Sequence, residues 1–370
     1  MIAFILCDRA NYGRLKPVMR ACVDAGLDVS AICGGSMVLP RFERPADMVR
    51  ADGFHVSQEV YCEIEGGNRL TMAKSVGEST KAFAQAIGSP QLAVIIGDRY
   101  EALGAATACH YVGVPLLHLQ GGEISGTLDN GARNAITALA TWHWPATSKA
   151  ATRVAEQIGS RVVWPHPIKG NISCYQWEWR GKESHILGIG CPSTDLLAGL
   201  DNTPGDYILA CYHPDTHHPE TASAEVAEML AALEGQRTVF MWPNIDAGSH
   251  GIGMALHRHR KAPWLRRVVN MSPEQYYRTM AQAKCLVGNS SSFVRDSAIL
   301  GVPAVIVGTR QDGRERGSNV ASVPADARLI AESIKLQPAR YEACHLFGDG
   351  QVSGRIAAAI KALAQREKAA

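Results

Sequence analysis

Short runs of Val, Ile, Leu and Ala recur along the chain at 2–6, 29–32, 92–96, 114–119, 207–210, 238–241, 285–287 and 304–307. They are apolar without alternation, and runs of that length suit strands buried on both faces, hence a parallel sheet. Between them lie longer stretches with helical apolar spacing, among them 14–26, 71–88, 102–112 and 219–233. Strand followed by helix, repeated almost throughout, predicts a doubly wound α/β architecture. The alternation breaks between about 161 and 200, where Pro and Gly residues accompany the polar-aromatic cluster Tyr175-Gln176-Trp177-Glu178-Trp179. A first domain over 1–195 and a second over 196–354 are expected. The helical tail 355–370 has no strand to partner it and is expected to pack back across the first domain.

A chain of 370 residues exceeds one typical core and suits two domains. With 46% hydrophobic and 19% charged residues, the composition is that of a folded chain rather than a disordered one. The net charge is only +2 and no Lys/Arg run stands out, which argues against nucleic acid or an anionic membrane surface as partner. The opening apolar run meets Asp8 and Arg9 at once and has no basic region before it, so it reads as a first strand rather than a signal peptide. No stretch approaches the ~18 apolar residues of a membrane span. The ten cysteines are scattered without a CxxC pair, the pattern of buried reduced thiols rather than a disulfide framework, and the cytoplasm is the expected location.

Polar clusters follow several of the strand-like runs, and the carboxyl ends of strands are where open α/β sheets bind ligands. Arg9, in Cys7-Asp8-Arg9-Ala10-Asn11, can reach a phosphate at a helix start or be an incidental surface residue. Asp98 and Arg99 are either a structural pair or a proton-transfer group beside its perturbing charge. In Gln120-Gly121-Gly122-Glu123 and Gly126-Thr127-Leu128-Asp129, the glycines allow close approach to a ligand. Glu123 and Asp129 can then be two carboxylates of one pocket, one acting as base and one as acid. Alternatively, Asp129 only caps the helix 130–141. In the second half, Gly288-Asn289-Ser290-Ser291-Ser292 precedes a helix, and three hydroxyls with free N–H groups make either a diphosphate cradle or a multiply capped helix. Asp296, one turn on, suits ribose hydroxyls, and the loop Gly308–Arg314 brings two arginines toward the same phosphates. His213, His217 and His218 with Asp215 fit no usual zinc spacing, so no metal is expected.

Taken in order, Gly97-Asp98-Arg99, Gly121-Gly122-Glu123, Gly126-Thr127-Leu128-Asp129, Arg133 with Ala135-Ile136-Thr137, and Gly190-Cys191-Pro192-Ser193 resemble one family. So do His213-Pro214, Pro243-Asn244-Ile245-Asp246-Ala247-Gly248-Ser249, Gly288-Asn289-Ser290-Ser291 and Gly308-Thr309-Arg310-Gln311. The family is the hydrolysing UDP-N-acetylglucosamine 2-epimerases, in the branch feeding sialic-acid and legionaminic-acid synthesis. The resemblance runs from Arg9 to about Asn319 and implies a GT-B-like fold, two Rossmann-like doubly wound domains facing a cleft, with UDP held mainly by the second. It implies that UDP leaves as the C2 proton is removed, giving a 2-acetamidoglucal that water converts to free N-acetylmannosamine. No cofactor is implied, the partner is a UDP-sugar, and a homodimer or homotetramer is suggested. Carried over by position, Asp98, Glu123, Asp129 and His213 are the acid/base and sugar-contacting group, with His213 alternatively a phosphate ligand as cation or neutral donor. Arg9, Arg99, Asn244, Ser290, Ser291, Asp296 and Arg310 are the UDP contacts, and Gln120, Asn130 and Arg133 are possible substrate contacts.

The chain departs from the pattern at several points. Asn11 stands for an Asp, Gln120 for a Glu, Asn130 and Asn134 for an acid and a His, Asp296 for a Glu and Phe293 for a Gly. An amide cannot shuttle a proton as a carboxylate can, so elimination here relies on fewer acids or the sugar differs. The stretch 162–187 is longer than the family's connection and is expected to be a surface loop rather than a lid, a dimer contact or a wall of the sugar site. The competing functions are the same chemistry on a 2,4-diacetamido-trideoxy UDP-sugar, a UDP-sugar hydrolase without inversion, a GT-B glycosyltransferase, and a UDP-sugar sensor without turnover.

Overall fold

The computed structural model describes residues 1–159, 174–179, 182–187 and 189–369. The runs of the first half form β1 (Ile2–Leu6), β2 (Val29–Gly34), β3 (Val56–Val60), β4 (Leu92–Ile96), β5 (Leu116–Leu119) and β6 (Trp142–Trp144), all parallel. β7 (Cys174–Trp179) and β8 (Lys182–Leu187) extend this sheet at one edge, giving the order β3-β2-β1-β4-β5-β6-β8-β7. β8 runs parallel to β6 and β7 antiparallel to β8. This corrects the surface-loop expectation over 174–179 and 182–187; 160–173 lies outside the described residues. Polar-aromatic residues are good strand formers at a sheet edge, where one side of the backbone pairs and the other meets solvent.

The second sheet holds β9 (Ile208–Cys211), β10 (Thr238–Met241), β11 (Leu265–Val268), β12 (Cys285–Gly288), β13 (Ala304–Val307) and β14 (Val320–Val323). Its strands are parallel throughout, in the order β11-β10-β9-β12-β13-β14. Each sheet carries its own two core layers, one on either face. Strand order reverses between β1 and β4 in the first sheet and between β9 and β12 in the second. Such reversals open a crevice at the strands' carboxyl ends, since successive crossovers leave in opposite directions there. Among the described residues no helix is long and apolar enough to cross a membrane; Cys7, Cys22, Cys33, Cys62, Cys109, Cys191, Cys211 and Cys285 are buried free thiols and Cys344 is a half-buried one.

Two helices tie the first sheet to the cleft and to the second lobe. α1 (Arg9–Asp24) starts five residues before the predicted 14–26 because Asp8 caps it, its side chain accepting from Asn11 N at 2.6 Å. The buried stripe Leu15, Val18, Met19 and Cys22 turns one face of α1 into the first core. The last helix, Val352–Ala369, packs on α1 through Val352, Ile356, Ala357 and Ile360. It begins just before the predicted tail because Asp195, at the crossing between the sheets, accepts from Val352 N (2.8 Å) and Ser353 N (2.6 Å). One carboxylate thus caps the closing helix and ties it to the interlobe connection. Asp195→Ala is expected to cost about 1 kcal/mol locally, read as roughly five-fold faster amide hydrogen exchange in the first turns of that helix; unchanged protection would remove this role.

Candidate active site

The two crevices face each other across a cleft of about 1020 Å³, counting space open to solvent, and behind it lies a chamber of about 310 Å³. Arg9 and Arg14 reach the cleft from α1, Asp98 and Arg99 from the end of β4, and Asp129 from the start of α2 (Asp129–Leu139). His213 follows β9, Asn244 follows β10, and Ser290 and Ser291 follow β12. Asp296 sits on α3 (Ser292–Leu300), and Arg310 follows β13. The structure therefore brings Asp98, Asp129, His213, Arg9, Arg99, Asn244, Ser290, Ser291, Asp296 and Arg310 to one cavity.

The serine loop is built by its neighbours. Gly288 has φ +136°, and a Cβ there would lie 1.9 Å from Cys211 O, so only glycine lets β12 pass β9 this closely. Asn289 then accepts from His213 N and donates to His213 O, both at 2.7 Å, locking the two loops together. The serine hydroxyls do not cap α3: Ser290 pairs with Ser292 at 2.9 Å, and Ser292 with Tyr276 at 2.6 Å. Phe293 N and Val294 N bond back to Ser290 O (3.1 Å) and Ser291 O (3.2 Å), and the N–H groups of Ser291 and Ser292 ahead of them remain available to an anion, with no side-chain cap on the helix. Arg310 donates to Asn289 O at 3.1 Å, lies 3.9 Å from Asp129, and keeps a buried Nε without a partner among the described residues.

Asp98 and Asp129 share the inner chamber in opposite electrostatic settings. Burial pushes the Asp98 carboxyl up, but the guanidiniums of Arg133, Arg314 and Arg14 outweigh it and hold Asp98 below the usual carboxylate range. Arg133 also donates directly to it. Burial, reinforced by the charges of Asp98 and Asp246, raises Asp129 to about 7. Asp129 does not cap its helix either; it accepts from the Thr127 hydroxyl at 3.2 Å. One carboxylate is an anion near neutrality and the other half protonated, the split that acid–base chemistry uses. His213 is held neutral by burial and by the charges of Arg310, Arg9 and Arg99. Its Nδ1 accepts from Asn244 N at 3.2 Å, which puts the proton on Nε2, 3.3 Å from Cys211 Sγ, and favours the neutral-donor reading.

Four residues lie behind the cavity wall rather than on it. Glu123 is gripped by Arg314 and, at 2.9 Å, by Arg295, both from the second lobe. Burial works against its charge, but Arg295, Arg314 and Arg133 keep it ionised. Arg133 also donates to Glu123 O (2.7 Å) and Asn130 Oδ1 (2.8 Å), so the buried Arg133 and the half-buried Asn130 form a strut. Gln120 takes φ +63° and bonds Arg14 at 2.5 Å and Cys191 at 2.7 Å; non-glycine residues held there cost about 1–3 kcal/mol and persist where the surroundings impose them. Two residues expected to meet ligand have protein partners as well. Arg99 pairs with Glu101 (2.7 Å) and, across the lobes, with Asp246 (2.5 Å). Arg9 donates to Trp242 O and Val269 O. Gly126 marks the same closeness, since a Cβ there would lie 2.3 Å from Thr309 O of the other lobe.

Sequence reasoning missed Arg14, Arg295, Tyr276 and Tyr277, which also line the cleft. Arg14 and Arg295 carried a signal, each being a charged residue inside a helix whose other buried positions are mostly apolar. The tyrosines carried none, because a buried helical Tyr is ordinary.

The comparisons with known proteins agree with this architecture. The family described as UDP-N-acetylglucosamine 2-epimerase matches residues 23–361. A Legionella pneumophila protein, UDP-N,N'-diacetylbacillosamine 2-epimerase (hydrolyzing), is 25% identical over 98% of this chain and 96% of its own. A Neisseria meningitidis UDP-N-acetylglucosamine 2-epimerase is 26% identical over 94% of this chain and 91% of its own. The fold is similar to that of Methanocaldococcus jannaschii UDP-GlcNAc 2-epimerase, crystallised in complex with UDP-GlcNAc and UDP, with a TM-score of 0.72 at 13% identity over 98% of this chain and 99% of that one. The match spans both lobes and the cleft between them, and the chain belongs to the UDP-N-acetylglucosamine 2-epimerase family.

Proposed function

We propose that this enzyme is a hydrolysing UDP-N-acetylglucosamine 2-epimerase, releasing UDP and N-acetylmannosamine. The observation that carries this reading is the chamber shared by ionised Asp98 and partly protonated Asp129, opening onto the Ser290–Ser291 loop and Arg310. UDP is held with its diphosphate on the start of α3 and Arg310, and the sugar enters the chamber. Asp98 takes the C2 proton; the C2–H pair becomes the C1=C2 bond and the C1–O pair leaves on UDP. Binding a diphosphate anion offsets part of the arginine field on Asp98 and makes it a stronger base at the moment it is needed. Asp129 then protonates C2 from the other face, the hydroxyl of a water adds at C1 and that water's other proton returns to Asp129, while Asp98 loses the proton it took from C2 to solvent as UDP departs, so both carboxylates are reset. Neutral His213 holds its Nε2–H against Cys211 Sγ at 3.3 Å and serves as a donor to the substrate by turning from that contact. Glu123 acts through Arg295 and Arg314 rather than on the sugar. A second reading, the same chemistry on a 2,4-diacetamido-trideoxy UDP-sugar, draws on the activity named for the Legionella relative and on the amides at Gln120 and Asn130.

Incubation with UDP-N-acetylglucosamine in heavy water is expected to give N-acetylmannosamine carrying deuterium at C2, and Asp98→Asn to give none while still binding UDP. N-acetylglucosamine without deuterium would mean plain hydrolysis, and no UDP release without an acceptor would mean transfer or sensing. If Asp129 must be protonated in the free enzyme, kcat/KM is present below about 7 and falls as pH rises through that value; a profile flat from pH 6 to 8 would remove Asp129 as the acid. Ser290→Ala combined with Arg310→Ala is expected to weaken UDP by about 2–4 kcal/mol in calorimetry, whereas wild-type affinity would place the diphosphate elsewhere.

A further inference from the structure

One cation at the junction of cleft and chamber takes no part in the steps of the proposed reaction. Arg14, Asp98, Asp129, Ser291, Arg295 and Arg310 line both compartments. With the sugar in the chamber and the diphosphate on the serine loop, the breaking C1–O bond lies at that junction. Arg295 is paired with Glu123, and Arg310 stands beside Asp129. Arg14 differs: its Nε donates to Ala10 O at 3.0 Å and its Nη1 to Gln120 Oε1 at 2.5 Å, both neutral oxygens. Among the described residues no carboxylate reaches Arg14 at ion-pair distance; its field helps keep Asp98 ionised from further off, and its guanidinium stays open to direct contact with a ligand.

Gln120 suits this task in a way a carboxylate would not. Its oxygen accepts from Arg14 while its Nε2 donates to Cys191 Sγ at 2.7 Å. Cys191 bonds Ser193 at 2.9 Å, and the Ser193 hydroxyl donates to Asp296 Oδ1 at 2.7 Å. The chain of contacts runs from a first-lobe cation to a second-lobe carboxylate, both on the cleft. A Glu at 120 would have no donor for Cys191 and would neutralise Arg14. The left-handed backbone at 120 and the buried surroundings hold the amide in this direction.

We propose that Arg14 is a catalytic residue of this reaction, its guanidinium meeting the β-phosphate oxygen as the C1–O bond breaks, and that Gln120 is the positioning residue that aims Arg14 and leaves it unneutralised. The inference rests on the UDP-sugar reading of the site. As the C2–H pair moves into the C1=C2 bond, the C1–O pair moves onto the β-phosphate oxygen, and Arg14 meets the charge growing there. Donors aimed at developing charge act on kcat more than on ground-state binding. The amide at 120 is then part of the device rather than the loss of an acid.

The test is steady-state turnover of UDP-N-acetylglucosamine by the full-length protein and its variants, each checked by circular dichroism. Arg14→Ala is expected to lower kcat roughly 100-fold or more with a KM change under about ten-fold. Millimolar guanidinium is expected to restore part of that rate, and none to Asp98→Asn. If Arg14→Ala does not fold, Arg14→Lys takes its place, with kcat expected to fall about ten-fold because one ammonium cannot hold Gln120 and a phosphate together. Gln120→Glu is expected to lose at least about ten-fold in kcat. Wild-type kcat in the Arg14 variants, or a Gln120→Glu enzyme faster than wild type, would overturn the assignment while leaving the UDP-sugar reading intact. A wild-type protein that releases no UDP from UDP-2-acetamido sugars would overturn that reading and the role of Arg14 with it.

Discussion

The grip of Arg295 and Arg314 on the Glu123 carboxylate is the constraint on which the site depends. All three are almost fully buried, and the contact joins the loop after β5 to a helix and a loop of the opposite lobe. A buried carboxylate that loses its partners costs about 3–5 kcal/mol, so the lobes cannot slide without a penalty of that order. Two guanidiniums on one carboxylate leave a net positive charge. Arg133 first, then Arg314 of that pair and Arg14, keep Asp98 ionised despite its burial. The contact that fixes the lobes therefore also contributes, through Arg314, to keeping Asp98 ionised.

Topology makes this economical. Each sheet reverses its strand order once, and each reversal opens at the end from which the site residues project. Setting two such openings face to face gives one site to which the first lobe brings Asp98, Asp129 and Arg14 and the second brings the Ser290–Ser291 loop, Arg310 and Asp296. The Arg99–Asp246 pair and the Gly126–Thr309 approach add further interlobe contacts.

Much of the fold was legible because its signal is local. Runs such as Leu92–Ile96 and Ala304–Val307 are apolar on both faces, and only a covered parallel strand makes use of that. The hairpin of β7 and β8 was not legible: alternating polar and aromatic residues at an edge read equally well as an exposed loop. In the site, Asp98, Asp129 and the serine loop stood out at strand ends, and their gathering at one cleft follows from topology. What the sequence could not show is which charges meet. Glu123 finds Arg295 and Arg314 at separations of 172 and 191 residues, and Gln120 finds Cys191 at 71. No periodicity encodes such pairings, so a buried strut and a sugar contact look alike in the sequence.

The central claim is that first-lobe carboxylates stand against a diphosphate anchored by the second lobe. A crystal structure of Asp98→Asn with UDP-N-acetylglucosamine tests it most directly. The diphosphate is expected on the N–H groups at Ser291 and Ser292 and on Arg310, with the sugar's C2 about 3–3.5 Å from residue 98. A diphosphate bound away from the serine loop, or a sugar directed out of the chamber, would contradict it.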